Sequence, residues 1–267
     1  MRPLLLWLVG PWLGLAARRE LAPSDVSLSR YSETGELPQL RYAARSVSRA
    51  SPVLAFVGAH QDEAVTVLLR LRRLSPLSDD RDAVRPFETM DDALLCAAGY
   101  PPDCRAILVQ AAVVTQSHKL VFGGPPPTAL LSGELRRWVS RGMRREEKDA
   151  VVRPLAAAVV VCDVPRGGPL AVLDCGGGLR RQRFVCLGEV ARAARRALAR
   201  ETPGLSLQDR AGACAATLLE AASASSDAVV DVVVVQHGRG AVTSQRSLRS
   251  REEVTGFVAG VLFGEDS

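Results

Sequence analysis

Two valine-rich runs place the tightest limit on what this chain can fold into. Leu155-Ala-Ala-Ala-Val-Val-Val-Cys162 and Val229-Val-Asp-Val-Val-Val-Val235 carry apolar side chains at both odd and even positions. A strand alternates its side chains between two faces, so each run presents an apolar row on both sides of its sheet and needs cover on both. The remaining pattern supplies that cover. Strands are expected over Val53 to Gly58 and Ala64 to Leu71, separated by the polar turn His60-Gln-Asp-Glu63, and again over Ala93 to Ala98. Pro101-Pro102-Asp103 opens a helix to about Val121, and Pro125-Pro-Pro-Thr128 opens a second to about Met143. After the first valine run come strands over Leu170 to Leu173 and Gln182 to Leu187. A helix then runs from Gly188 to about Arg200 and another over Leu207 to Ala222. The second valine run, a strand over Val242 to Leu248 and a closing helix over Arg251 to Phe263 complete the series. Two sheets packed face to face, with helices on both outer sides, would bury both runs. That architecture is a four-layer αββα sandwich of the α+β class.

A chain of 267 residues can bury such a core, and 47% hydrophobic with 24% charged residues is a globular composition. Only 4% of residues are aromatic, too few for platforms on which nucleic-acid bases stack. The net charge of +5 rests on arginine, since Lys119 and Lys148 are the only lysines among 34 basic residues. Pairs such as Arg72-Arg73, Arg136-Arg137 and Arg180-Arg181 fit solvated faces and subunit contacts as well as a basic binding stripe. The six cysteines, at 96, 104, 162, 175, 186 and 214, form no C-x-x-C pair and read as buried, reduced thiols. Zinc held by Cys162, Cys175 and Cys186 requires adjacent strands to align them.

Residues 1–26 read as an extension and 27–267 as one domain. Arg2, the apolar run Pro3 to Leu15, Ala16-Ala17 and Arg18-Arg19 have the layout of a secretory signal. The lack of acids before Glu20 also fits an organellar presequence, and a misassigned start gives the same pattern. The run is short and is interrupted by Pro11, so no stable membrane insertion is expected.

The segment Tyr31-Ser-Glu-Thr-Gly-Glu-Leu-Pro-Gln-Leu-Arg-Tyr-Ala43 joins a turn to a helix. Ser32 to Gly35 supplies turn residues, and Pro38 suits a first helical turn. Leu37, Leu40, Ala44 and Val47 then form one line and Arg41, Arg45 and Arg49 another, so one face wants a partner and the other is cationic.

This segment resembles the N-terminal signature of proteasome alpha subunits through Tyr31, Ser32, Gly35, Leu37, Gln39, Leu40, Tyr42 and Ala43. A second block, Gly99 to Leu120, is similar to the family's Gly-x-x-x-Asp-x-Arg-x-Leu helix ending in Gln-Ser-His-Arg-Leu. Val152-Arg153-Pro154 resembles the entry to its central strand, and Asp174 and Gly176 its Asp-Pro-Ser-Gly turn. Pro125-Pro-Pro-Thr-Ala129 and Pro102-Asp103 lean toward the type-2 branch. The chain also departs from the pattern. Glu33 replaces the reverse-turn proline, Arg41 the glutamate before tyrosine, and Leu155-Ala156 the Phe-Gly pair. Ser24-Asp25-Val26 stands where Tyr-Asp-Arg is expected.

The resemblance implies a noncatalytic ring subunit of the 20S proteasome, in the cytoplasm and nucleus and without cofactor. Its implied partners are other alpha subunits, beta subunits, and the C-terminal tails of regulatory particles or activators. Tyr31, Glu33, Gly35 and Tyr42 are the implied gate and turn residues. Ungapped comparison over Val65 to Gly99 puts Arg72 at the place of the lysine that receives an activator's terminal carboxylate. No glycine precedes Thr, Ser or Cys, so the junction that would free an N-terminal nucleophile is missing, and no catalytic residue is expected. His60, His118 and His237 are scattered, which argues against a metal site, and His118 suits capping a carbonyl near a helix end. Asp79-Asp80 and Asp91-Asp92 read as solvated pairs, while Asp174 to Gly178 reads as a turn whose amides could also cradle an anion. A divergent hydrolase of the same fold with an unrecognised nucleophile, and a basic binding module, stay open as alternatives.

Overall fold

The computed structural model describes residues 31–60, 63–73, 87–141, 153–189, 191, 194, 205–222, 228–237 and 242–264. Among them, ten strands make two antiparallel sheets of five strands each. The first sheet holds β1 (Val53–His60), β2 (Glu63–Arg73), β8 (Phe184–Leu187), β9 (Ala228–Gln236) and β10 (Val242–Leu248), in the order β10-β9-β2-β1-β8. The second holds β3 (Phe87–Met90), β4 (Ala93–Gly99), β5 (Ala157–Asp163), β6 (Leu170–Leu173) and β7 (Leu179–Gln182), in that order. Five helices are described: α1 (Pro38–Ser48), α2 (Pro101–Phe122), α3 (Thr128–Arg141), α4 (Leu207–Ala222) and α5 (Arg251–Phe263).

The apolar residues divide into three cores, one for each interface between four layers. Val67, Leu69, Val232 and Val234 of the first sheet pack against Ala215, Leu218 and Val258 of α4 and α5. Leu95, Val159 and Val161 of the second pack against Ile107 and Ala111 of α2 and Leu131 and Leu135 of α3. Between the sheets, Ala55, Leu68, Val233 and Val235 meet Leu94, Cys96, Val160 and Cys162. Both valine runs are therefore covered on both faces. In β5 the odd residues turn to the helices and the even ones to the other sheet, as the two-residue period requires. This is the expected αββα sandwich.

The stretch expected as one strand over Gln182 to Leu187 is divided between the sheets. Leu179–Gln182 pairs with β6 at the edge of the second sheet, whereas Phe184–Leu187 pairs with β1 in the first. The sequence explains the division: Leu-Arg-Arg-Gln suits a solvated edge, while Val185 and Cys186 are apolar and buried. Strand β3 is additional to the expected strands. It forms a hairpin with β4 in which Asp91 and Asp92 are the turn, and Asp91 takes a left-handed φ of 50° that Asp tolerates better than most residues. The helix expected from Gly188 to Arg200 lies outside the described residues apart from helical Ala191 and Ala194, as do Asp79-Asp80 and residues 1–26.

Candidate functional site

The turn before α1 is closed by its own polar groups. The Ser32 amide donates to the Glu36 carbonyl at 2.8 Å, the Gly35 amide to the Ser32 carbonyl at 2.9 Å, and the Glu36 amide to Ser32 Oγ at 3.2 Å. Gly35 takes a φ of 76°, which glycine adopts at no steric cost. Glu33 is exposed, Tyr31 is 65% exposed, and Arg41 pairs with Glu36 at 3.1 Å while its guanidinium lies 5.7 Å from the Tyr42 ring centre. The apolar face of α1 is rotated from the expected line. Pro38 and Ala43 are buried, Leu37, Leu40 and Val47 are half-buried, and Ala44 is exposed. The helix thus docks by a narrow face and leaves a cavity of about 180 Å³ whose lining includes Val47, Ala158, Val172 and Leu187.

Arg72 lies near the end of β2, its side chain 25% exposed. It reaches Asp231, which is 1% exposed on β9. Arg72 Nε donates to Asp231 Oδ2 at 3.2 Å and Nη2 to Oδ1 at 3.4 Å, while Ser247 Oγ of β10 donates to Oδ1 at 2.5 Å. Sequence reasoning missed Asp231. The available signal was one carboxylate inside an otherwise apolar strand, which needs a buried partner.

Two sequence blocks meet at the start of α2. Gly99 has a φ of 148°, and a Cβ there would come within 2.2 Å of the Ala156 carbonyl oxygen, so only glycine allows this approach. Next to it, Asp103 accepts from Arg153 Nη1 and Nη2, both at 2.7 Å, and from the Ala156 amide at 2.7 Å. Burial by itself would raise the Asp103 carboxyl. The Arg153 fork and the Ala156 amide outweigh it and hold the group below its ordinary value.

The turn from Asp174 to Gly178 carries its own anion. Asp174 Oδ1 accepts from the amides of Gly176 at 3.0 Å and Gly178 at 2.7 Å, and Oδ2 accepts from Arg180 at 3.1 Å. These amides are therefore occupied from within. His118 Nδ1 lies 2.8 Å from the Gly124 carbonyl oxygen and donates to it just past the end of α2. His237 is buried, with Nδ1 donating to the Val164 carbonyl and Nε2 hydrogen-bonded with the Thr66 hydroxyl, each at 2.7 Å. The ring of His60 packs edge-on against Phe263. The three histidines thus fall in three separate places.

All six cysteines are buried free thiols. Cys162 faces the inter-sheet core, Cys186 the core under α4 and α5, and Cys175 the turn after β6, so the three considered for zinc do not converge. Burial pushes Cys96, Cys162 and Cys214 up to about 12, which is the reverse of a nucleophile's environment. Among the described residues no group of three or more His, Cys, Asp or Glu side chains is placed to hold a metal ion. No described helix is long and apolar enough to cross a membrane.

Among the described residues, the outer side of α2 carries exposed apolar side chains. Cys104, Ile107, Ala111 and Thr115 face inward and are buried. On the outer side Val109 and Val113 are about half exposed and Leu120 is 87% exposed, while Val121 and Phe122 are exposed at the end of the helix. The helix is apolar on two sides and only one is covered.

A model of the proteasome subunit family matches residues 53–235. The chain is 26% identical over 171 residues to proteasome subunit alpha type-2 of Trypanosoma brucei brucei, covering 63% of this chain and 71% of that protein. It is 27% identical over 166 residues to the proteasome subunit alpha of Aeropyrum pernix, covering 61% and 62%. It is 25% identical over 197 residues to a probable proteasome subunit alpha type-2 of Neurospora crassa, covering 73% and 76%.

Proposed function

The chain belongs to the proteasome subunit family, and from that premise we propose that it is a noncatalytic alpha-type subunit of the 20S core. Its work is structural: it occupies one place in an alpha ring stacked on a beta ring, and the beta ring hydrolyses peptides. The observation that carries this reading is the outer side of α2, an apolar stripe left bare in a single chain whose interior is otherwise well packed. A neighbouring subunit would cover it, and would also complete the shallow seat of α1.

In this reading residues 27–267 form the ring subunit and 1–26 an extension to it. The reverse turn with Tyr31, Glu33, Gly35 and Tyr42 lies on the side that restricts substrate entry. Arg72 is the residue to which the terminal carboxylate of a regulator's tail would come, and the particle works in the cytoplasm and nucleus. The chain alone has no peptidase activity, because no glycine precedes a Thr, Ser or Cys that could be freed as an N-terminal nucleophile.

The test is sedimentation of the native chain from the cells that make it. It is expected to travel with a large particle whose peptidase activity is absent from the purified chain. Recovery only as a monomer, or peptidase activity in that monomer, would overturn the reading.

A further inference from the structure

Asp231 is the only polar side chain from Ala228 to Val235, and its carboxylate is withdrawn almost completely from water. Arg70 is its directly opposed residue in the β2–β9 register and Arg72 lies two residues further along, so two basic residues of one strand stand beside one acid of the next. Arg72 supplies the ion pair, using Nε and Nη2 together, and Ser247 from the strand on the other side adds a hydrogen bond. The guanidinium is therefore reachable from solvent yet already held along one of its edges by an internal carboxylate.

We propose that Asp231 is a built-in competitor that holds the Arg72 site closed to the terminal carboxylate of a docking peptide; the proposal rests on the reading of Arg72 as a docking residue. A bidentate pair needs two parallel N–H groups of one guanidinium edge, and Asp231 fills such an edge. An incoming carboxylate meets a cation whose charge is already balanced a few Å away, so its attraction is reduced and it faces a second anion. Ser247 strengthens the closure, because turning the Asp231 carboxylate away from its place would break that hydrogen bond as well as the pair. Opening the site requires Arg72 to leave Asp231, and the buried acid opposes this because it would lose its ion pair.

The probe is a short acetylated peptide with a free C-terminal carboxylate, compared with its C-terminally amidated twin and titrated onto the full chain. Asp231→Asn keeps the shape and removes the charge. It is expected to tighten the carboxylate peptide about tenfold without changing the amide, and Arg72→Ala in the same chain should return affinity to its starting value. If Asp231→Asn brings no gain while Arg72→Ala alone weakens the carboxylate peptide, the closure is overturned and docking at Arg72 stands. If neither substitution alters peptide binding, docking at Arg72 is overturned and the closure with it. Should Asp231→Asn fail to fold, Ser247→Ala decides: a gain of about threefold supports the closure and no gain overturns it.

Discussion

The helices on the two outer sides of the molecule treat their apolar residues differently. On α4 and α5 they turn inward: Ala215, Leu218, Val254 and Val258 are buried, and Phe263 is the one large apolar side chain exposed among the described residues of that pair. These helices also approach each other closely, since a Cβ on Gly212 would come within 2.3 Å of Thr255 Oγ1. α2 packs its inner side as well as they do but repeats the apolar pattern on its outer side. One outer layer ends at water. The other exposes an apolar row, which the proposed function assigns to a neighbouring subunit.

The sharpest way to break the comparison is to put the same charge into both layers. Val258→Asp would leave an unpaired carboxylate in the core under α5 and is expected to cost more than about 4 kcal/mol, so that little folded protein is recovered. Val113→Asp on the outer side of α2 should change monomer stability by less than about 0.5 kcal/mol in a urea titration, while recovery in a large particle is lost. Equal damage to the monomer from both would erase the contrast.

Within α2 itself the two sides can be separated. Ile107→Ala, at a position 1% exposed, should cost about 3 kcal/mol, whereas Val109→Ala, two residues away, should cost less than about 0.5 kcal/mol.

Asp103→Asn tests what fastens the start of α2, and a loss of about 2 kcal/mol is expected because Arg153, which is half exposed, regains water when its partner goes. The sign of its pH dependence follows from the direction of the shift. The folded carboxyl lies below its ordinary value, so its contribution is complete above the unfolded value of about 4 and is lost as pH falls through the folded one. Urea midpoints measured from neutral pH into acid should fall less steeply in the variant than in the parent.

The smallest contrast concerns thiols. Burial raises Cys104 in α2 to about 11 and Cys214 in α4 to about 12, so at pH 8 both should react with iodoacetamide only as fast as the monomer opens. Faster labelling of Cys104 would mean that the α2 layer opens by itself.

How much of this was legible in the sequence depended on whether the signal was local. The valine runs required cover on both faces, and that alone pointed to four layers. The motif blocks around Asp103 and Arg153 could be found separately, although their ion pair spans 50 residues. Arg72 could be singled out by position, but Asp231 lies 159 residues away and joins it only through the β2–β9 register, which no local pattern specifies. The α1 periodicity gave a helix with an apolar side. Its docking against β4 and β5 left Ala43 buried and Ala44 exposed. The Asp174 turn was read correctly as a turn, yet the spacing did not reveal that its carboxylate would fill its own amides.

One residue, Arg183, lies between β7 of the second sheet and β8 of the first, and its carbonyl accepts from the Val57 amide at 2.9 Å. A seam this short has no slack: neither sheet can slide or peel from the other without pulling a strand from its partner. The two sheets are therefore tied together along this corner, edge strand to edge strand.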